Sequence, residues 1–231
     1  MSTTQVGHVL DNPAWHALNS YHAHFASGTK LVKRYPPEVN IAVALADHSD
    51  AAIRDLEKMV EHAESIILFE ANPPENLPGW VVQRASKAVQ LVCDQRAPQQ
   101  ESNLNIVELN KANVPEMMQL IDLTHPGPFA SRTVEMGRFI GIRQQGQLVA
   151  MAGERFRLTG YCEVSAVCTH PAWQGRGYAR LLTSVLVNGI WDRGETPFLH
   201  VIPENTVAYH LYESMGFHRR CNMTANVMLR I

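Results

Sequence analysis

The sequence predicts an α/β chain, a mixed central sheet with helices on both faces, preceded by a smaller α/β lobe. Three observations carry that prediction. Apolar runs of strand length alternate with helical periods along the 231-residue chain, the pattern of helices layered on a sheet. A strand-like run ending at His170-Pro171 passes through a two-glycine turn directly into a long helical pattern. A polar stretch, residues 94–103 (DQRAPQQESN), separates two apolar-patterned parts, as linkers do.

Taken in order, residues 13–25 (PAWHALNSYHAHF) predict a helix with Asn12 as N-cap and proline at its first position. Residues 41–45 predict a strand, 50–62 an amphipathic helix, 65–68 a second strand, and 80–93 an apolar, mixed run. These make up the first lobe, residues 1–100. In the second domain, residues 104–231, positions 104–109 alternate as a strand. Residues 114–123 space their apolar side chains as a helix, with Asn113 as cap and Pro115 in the first turn. After the loop THPGPFASRT and a short helical piece near 134–137, residues 138–143 and 147–156 flank Gln144-Gln145-Gly146 as a hairpin. A strand over 161–169, a long helix over 176–191, a strand over 197–201 and a helix over 206–215 follow. Residues 217–221 and 223–229 predict two closing strands.

Composition excludes several classes. The formal net charge is -2, so no basic field points to nucleic acid or to a membrane surface. Cys93, Cys162, Cys168 and Cys221 form no C-x-x-C pair and predict buried free thiols of a reducing compartment. The first residues, MSTTQVGHVLDNP, lack a basic segment followed by an apolar core, and no apolar run approaches membrane length. The expectation is a cytoplasmic protein. His16, His22 and His24 have no carboxylate completing a ligand set, so they predict solvated or capping roles and no metal.

The segment Gln174-Gly175-Arg176-Gly177-Tyr178-Ala179 reads as an anion cradle. The first N–H groups of a helix have no intrahelical partner and the macrodipole is positive there, so a phosphate can sit on them. Gly175 and Gly177 let the backbone approach closely. A Walker loop and a dinucleotide fingerprint both fail, because Arg180 stands three residues after Gly177 and no Lys-Ser/Thr follows. The spelling Q-x-x-G-x-A resembles the acyl-CoA pyrophosphate loop of the GNAT superfamily of N-acyltransferases. Cys162 to Val167 resembles that family's fourth strand. Asn205 and the run from Ala208 to Phe217 (AYHLYESMGF) match its N-x-x-A-x-x-L-Y-x-x-x-G-F signature. The likeness covers residues 104–231, and its wording is similar to the FR47-like branch.

The resemblance implies an N-acetyltransferase that moves an acetyl group from acetyl-CoA to a primary amine by direct transfer in a ternary complex, without a metal. An acyl-CoA-binding module without turnover, and an enzyme using a longer acyl chain, remain the alternatives. By the same resemblance the acceptor would be a small-molecule or peptide amine. The first lobe would cover the acceptor side or form a homodimer interface.

Site residues follow from the same likeness. Backbone groups of Val167, Cys168 and Thr169 would pair with the pantetheine arm, and Gln174, Gly175, Arg176, Gly177, Tyr178 and Ala179 would hold the pyrophosphate. Asn205 would bond the pantetheine or cap the following helix. Tyr212 would be the general acid at the sulfur. In some members the general base is a glutamate on the fourth strand, eleven positions before the loop glutamine, where Glu163 stands; Glu154 is the second candidate. The two-residue strand period puts Glu163, Ser165, Val167 and Thr169 on one face and Cys162, Val164, Ala166 and Cys168 on the other. Cys168 near the thioester makes a covalent route conceivable. His125, Phe129 and Arg132 are candidates for acceptor contacts.

Overall fold

A computed structural model describes residues 7–74, 77–98 and 104–231. It contains five α-helices: α1 (Pro13–Leu18), α2 (Asp50–Met59), α3 (Val114–Thr124), α4 (Tyr178–Asp192) and α5 (Thr206–Glu213). The strands are β1 (Ser27–Gly28), β2 (Val32–Arg34), β3 (Ala42–Leu45), β4 (Ser65–Glu70), β5 (Trp80–Cys93), β6 (Ile106–Leu109), β7 (Phe139–Gln144), β8 (Gln147–Leu158), β9 (Tyr161–Thr169), β10 (Thr196–Val201) and β11 (Phe217–Arg230). All eleven belong to one mixed sheet in the order β1-β2-β3-β4-β11-β5-β10-β9-β8-β7-β6.

The two parts of the chain on either side of residues 94–103 share that one sheet. Strand β5, from the first part of the chain, lies between β10 and β11 of the second and pairs antiparallel with both. Part of the stretch, residues 99–103, falls outside the described residues. The two predicted closing strands are a single strand, β11, with a bulge between Arg219 and Cys221. The local pattern changes phase there, which is why it reads as two pieces.

Helices cover both faces. Helix α4 buries Leu181, Leu182, Leu186 and Ile190 against Cys162, Val164 and Leu199 of the sheet, each worth roughly 1.5–3 kcal/mol of burial. On the other face, α3 packs Met117, Leu120 and Ile121 on Met151 and Cys168, and α1 packs Ala14, Ala17 and Leu18 near Phe156 and Phe198. Helix α1 ends at Leu18, and only a 3-10 turn, Ala23–Phe25, continues the predicted helix. Asn12 caps α1 through a bond from the Trp15 N–H. Asn113 occupies the N-cap of α3, as predicted, but its side chain makes no capping bond there; Asn110 caps the 3-10 turn just before it. The four cysteines are free, and among the described residues no helix is long and apolar enough to cross a membrane. His22 corrects its predicted solvated role. It is buried, with Nδ1 3.0 Å from the Tyr35 hydroxyl and Nε2 3.0 Å from the Met136 carbonyl.

Candidate active site

Strands β9 and β10 run parallel only from Tyr161/Thr196 to Glu163/Phe198 and pair no further. Strand β5 keeps its β10 partner only from Val92 to Val89. A cavity of about 880 Å³ lies where these strands part. It runs from the loop before α4, past residues 164–169 of β9, to Asn40, Ile41, Phe69 and Ser86 of the first part of the chain.

The predicted cradle forms one end. Gly175 and Gly177 have φ of 74° and 78°, the left-handed region that a side chain disfavours by roughly 1–2 kcal/mol. A Cβ at either position would meet open space, so conformation rather than crowding selects glycine. Gly177 is the N-cap of α4 and offers no side chain to the first N–H groups, which leaves them available to an anion. Gln174, Arg176, Tyr178 and Ala179 line the cavity too, and Arg176 stacks 4.7 Å over the Trp173 ring. The predicted helix start at Arg176 moves to Tyr178 because the two glycines hold non-helical dihedrals. Gly177→Ala is expected to raise the dissociation constant for acetyl-CoA about tenfold, read by titration calorimetry.

Strand β9 departs from the expected alternation. Met151 pairs with Cys168 and Gly153 with Ser165, so β9 carries one extra residue, and Ala166 sits at φ 52°. This bulge reverses the side chains beyond it. Cys162 and Val164 join the core under α4 with Val167 packed against it, whereas Cys168 and Ala166 turn to the α3 side. The predicted sharing of one face by Glu163 and Val167 is therefore corrected. Val167, Cys168 and Thr169 line the cavity, and the Thr169 Oγ1 is buried there without a partner. Burial pushes the Cys168 thiol up to about 11, with only partial relief from Thr124 and the Met151 backbone. Its thiolate fraction at pH 7 is on the order of 10⁻⁴. Cys168→Ala should therefore keep kcat within about twofold, with no acetylated cysteine in intact-mass spectra of wild type incubated with acetyl-CoA.

Tyr212 lines the cavity from α5, with its ring 5.8 Å from Phe217. Burial first, then the neighbouring Cys168, raises its phenol well above the ordinary range, so the hydroxyl stays protonated. Asn205 lines the cavity and caps α5, accepting from the Ala208 N–H at 3.1 Å.

The two candidate bases lie outside the cavity lining. Glu163 is buried and accepts from Arg155 Nε and Nη2 at 2.8 and 2.7 Å, and from His200 Nδ1 at 2.6 Å. Burial alone would raise its carboxyl, but the Arg155 charge and hydrogen bonds outweigh that and hold it at about 2. Such a carboxylate draws a proton from an ammonium poorly, and its oxygens are already occupied. In this arrangement Glu163 anchors Arg155 and His200. His200 is driven toward its neutral form by burial, which Glu163 offsets only in part; its Nε2 lies 2.9 Å from the Gln90 amide. Glu154 is buried and bonded to Arg193 at 3.0 Å, tying β8 to the end of α4.

Of the three loop candidates, only His125 lines the cavity. Phe129 packs on Phe139, and Arg132 pairs with Glu38 and Glu135. Arg155, His200 and Phe69, which the sequence did not single out, line it as well. No local motif marks them, because strand pairing across distant segments brings them together.

The chain is similar to several known proteins. The FR47-like protein family model matches residues 139–226. A putative acetyltransferase from the GNAT family of Novosphingobium aromaticivorans is 36% identical, with a TM-score of 0.89, over 97% of this chain and 100% of that one. The N-alpha-acetyltransferase RimI of Mycobacterium tuberculosis is 38% identical over 84 residues, 35% of this chain and 52% of that protein. A mycothiol acetyltransferase of Rhodococcus erythropolis is 47% identical over 58 residues, 25% of this chain. The matched stretch spans only 19% of that relative's length.

Proposed function

Because this chain belongs to the GNAT family of N-acyltransferases, we propose that it transfers an acetyl group from acetyl-CoA directly to a primary amine within a ternary complex. One observation carries the reading: a single cavity joins an uncapped, glycine-entered helix start to a second chamber walled by the first part of the chain. The two ends suit a phosphate-bearing donor and an acceptor that meet between β9 and β10.

The chain's own groups divide the work. Main-chain N–H groups from Gly175 to Ala179 hold the pyrophosphate, with Gln174 leading into the turn and Arg176 adding charge. The edge of β9 at Val167, Cys168 and Thr169, left unpaired by β10, takes the pantetheine arm as an added strand. Asn205 borders that arm while capping α5. Acetyl-CoA supplies the activated thioester. Tyr212 donates its O–H to the sulfur as the thiolate departs. With no carboxylate in the described lining, the amine loses its proton through water before attack.

A thiol-release screen with acetyl-CoA and pooled primary amines, scored alongside thermal protection by acetyl-CoA alone, tests the proposal. Thermal protection together with CoA release in at least one pool is expected. The absence of both would remove it, and protection without release from any pool would favour a non-catalytic acyl-CoA binder.

A further inference from the structure

We propose that the acceptor carries a carboxylate beside an apolar side chain, as a small amino-acid-type amine does, and is not a polyamine or another polycation. The inference rests on the acetyl-transfer reading above. Its first ground is charge. Among the described residues, Lys87, Arg155, Arg176 and Arg180 line the cavity, and no Asp or Glu does. An amine with a second ammonium group would be desolvated there without a counter-charge, which is strongly unfavourable.

The second ground is the open side of Arg155. Arg176 and Arg180 belong to the cradle end, but Arg155 stands on the opposite face of the sheet, over Phe156 and in the network with His200. Glu163 occupies Nε and Nη2 and so fixes the plane of the guanidinium. Nη1 has no partner among the described residues. A planar donor held rigid in this way suits a carboxylate, and its rigidity lowers the entropy lost on binding. Ile41, Ile67, Phe69 and Phe156 line the cavity as well, and they offer an apolar side chain a wall rather than hydrogen bonds.

The same arrangement bears on the proton. Surroundings without a carboxylate disfavour an ammonium and favour the neutral amine, so the site selects the reactive form without a protein base in contact with it.

Calorimetric titration of the CoA-saturated protein with N-acetylphenylalanine, N-acetylleucine, their amides and N-acetylputrescine tests the proposal. The carboxylates should bind roughly tenfold or more tightly than their amides, and N-acetylputrescine weakest. Arg155→Lys, which keeps a charge beside Glu163 but loses the fork, should bring acid and amide within about twofold of each other with CoA affinity unchanged. If that variant does not fold, the wild-type panel decides alone. Equal or tighter binding of the amides, preference for N-acetylputrescine, or no binding by either carboxylate overturns the proposal and leaves the acetyl-transfer reading standing. Failure of CoA itself to bind removes both.

Discussion

Tyr212→Phe is expected to lower kcat about 100-fold while leaving the dissociation constant for acetyl-CoA unchanged. The phenol is buried at the cavity and has no hydrogen-bond partner among the described residues, so the protein does not use it for stability. The phenylalanine ring retains the packing on Phe217, and thermal unfolding should shift little. The raised phenol keeps its proton throughout the working pH range. On the proposed function it would act through a hydrogen bond that strengthens as charge develops on the sulfur, and that bond would be worth most where water is excluded. Pre-steady-state measurement of CoA release separates this step from binding. An unchanged kcat, or a loss confined to KM, would reassign Tyr212 to packing.

Lowering the pH from 6.5 to 4 should cost about 3 kcal/mol of unfolding free energy through His22 alone. Burial lowers its pKa to about 4, and the bond to the Met136 carbonyl offsets this only in part. The unfolded chain takes up a proton near 6.5 that the folded chain refuses until about 4, so stability falls as pH falls through that window. His200 acts in the same direction, since burial lowers its pKa too. Glu163 adds a second, lower window. Its pKa is about 2 when folded against 4.5 as a free side chain, so its contribution is complete above 4.5 and is lost as the pH drops toward 2. Urea unfolding at a series of pH values reads both limbs. In His22→Gln, which keeps a donor and an acceptor for Met136 and Tyr35, the upper limb should flatten. A wild-type curve level between pH 6.5 and 4 would contradict the assignment.

The cradle was legible in the sequence because its physics is local: two glycines, a strand before and a helix after. The placement of Tyr212 and Asn205 along the same cavity follows from equally local spacing, one residue on α5 and the other at its N-cap. The surroundings of Glu163 were not legible because its partners, Arg155 and His200, stand eight and thirty-seven positions away, and because the bulge at Ala166 breaks the period on which face assignments rest. The acceptor chamber was illegible for a similar reason. Asn40, Ile41, Phe69 and Ser86 reach it through the pairing of β3 with β4, β4 with β11, and β5 with β10 and β11. Pairing between strands that far apart leaves no periodic trace.

The place of β5 also dictates when the molecule can mature. As the polypeptide emerges from the ribosome, residues 80–93 are made about a hundred residues before the first of the two neighbours that flank them, so this ribbon must wait, unsatisfied on both margins, until the C-terminal strands arrive. That order of synthesis favours a late closure of the sheet, and refolding should be slow for a chain of this size.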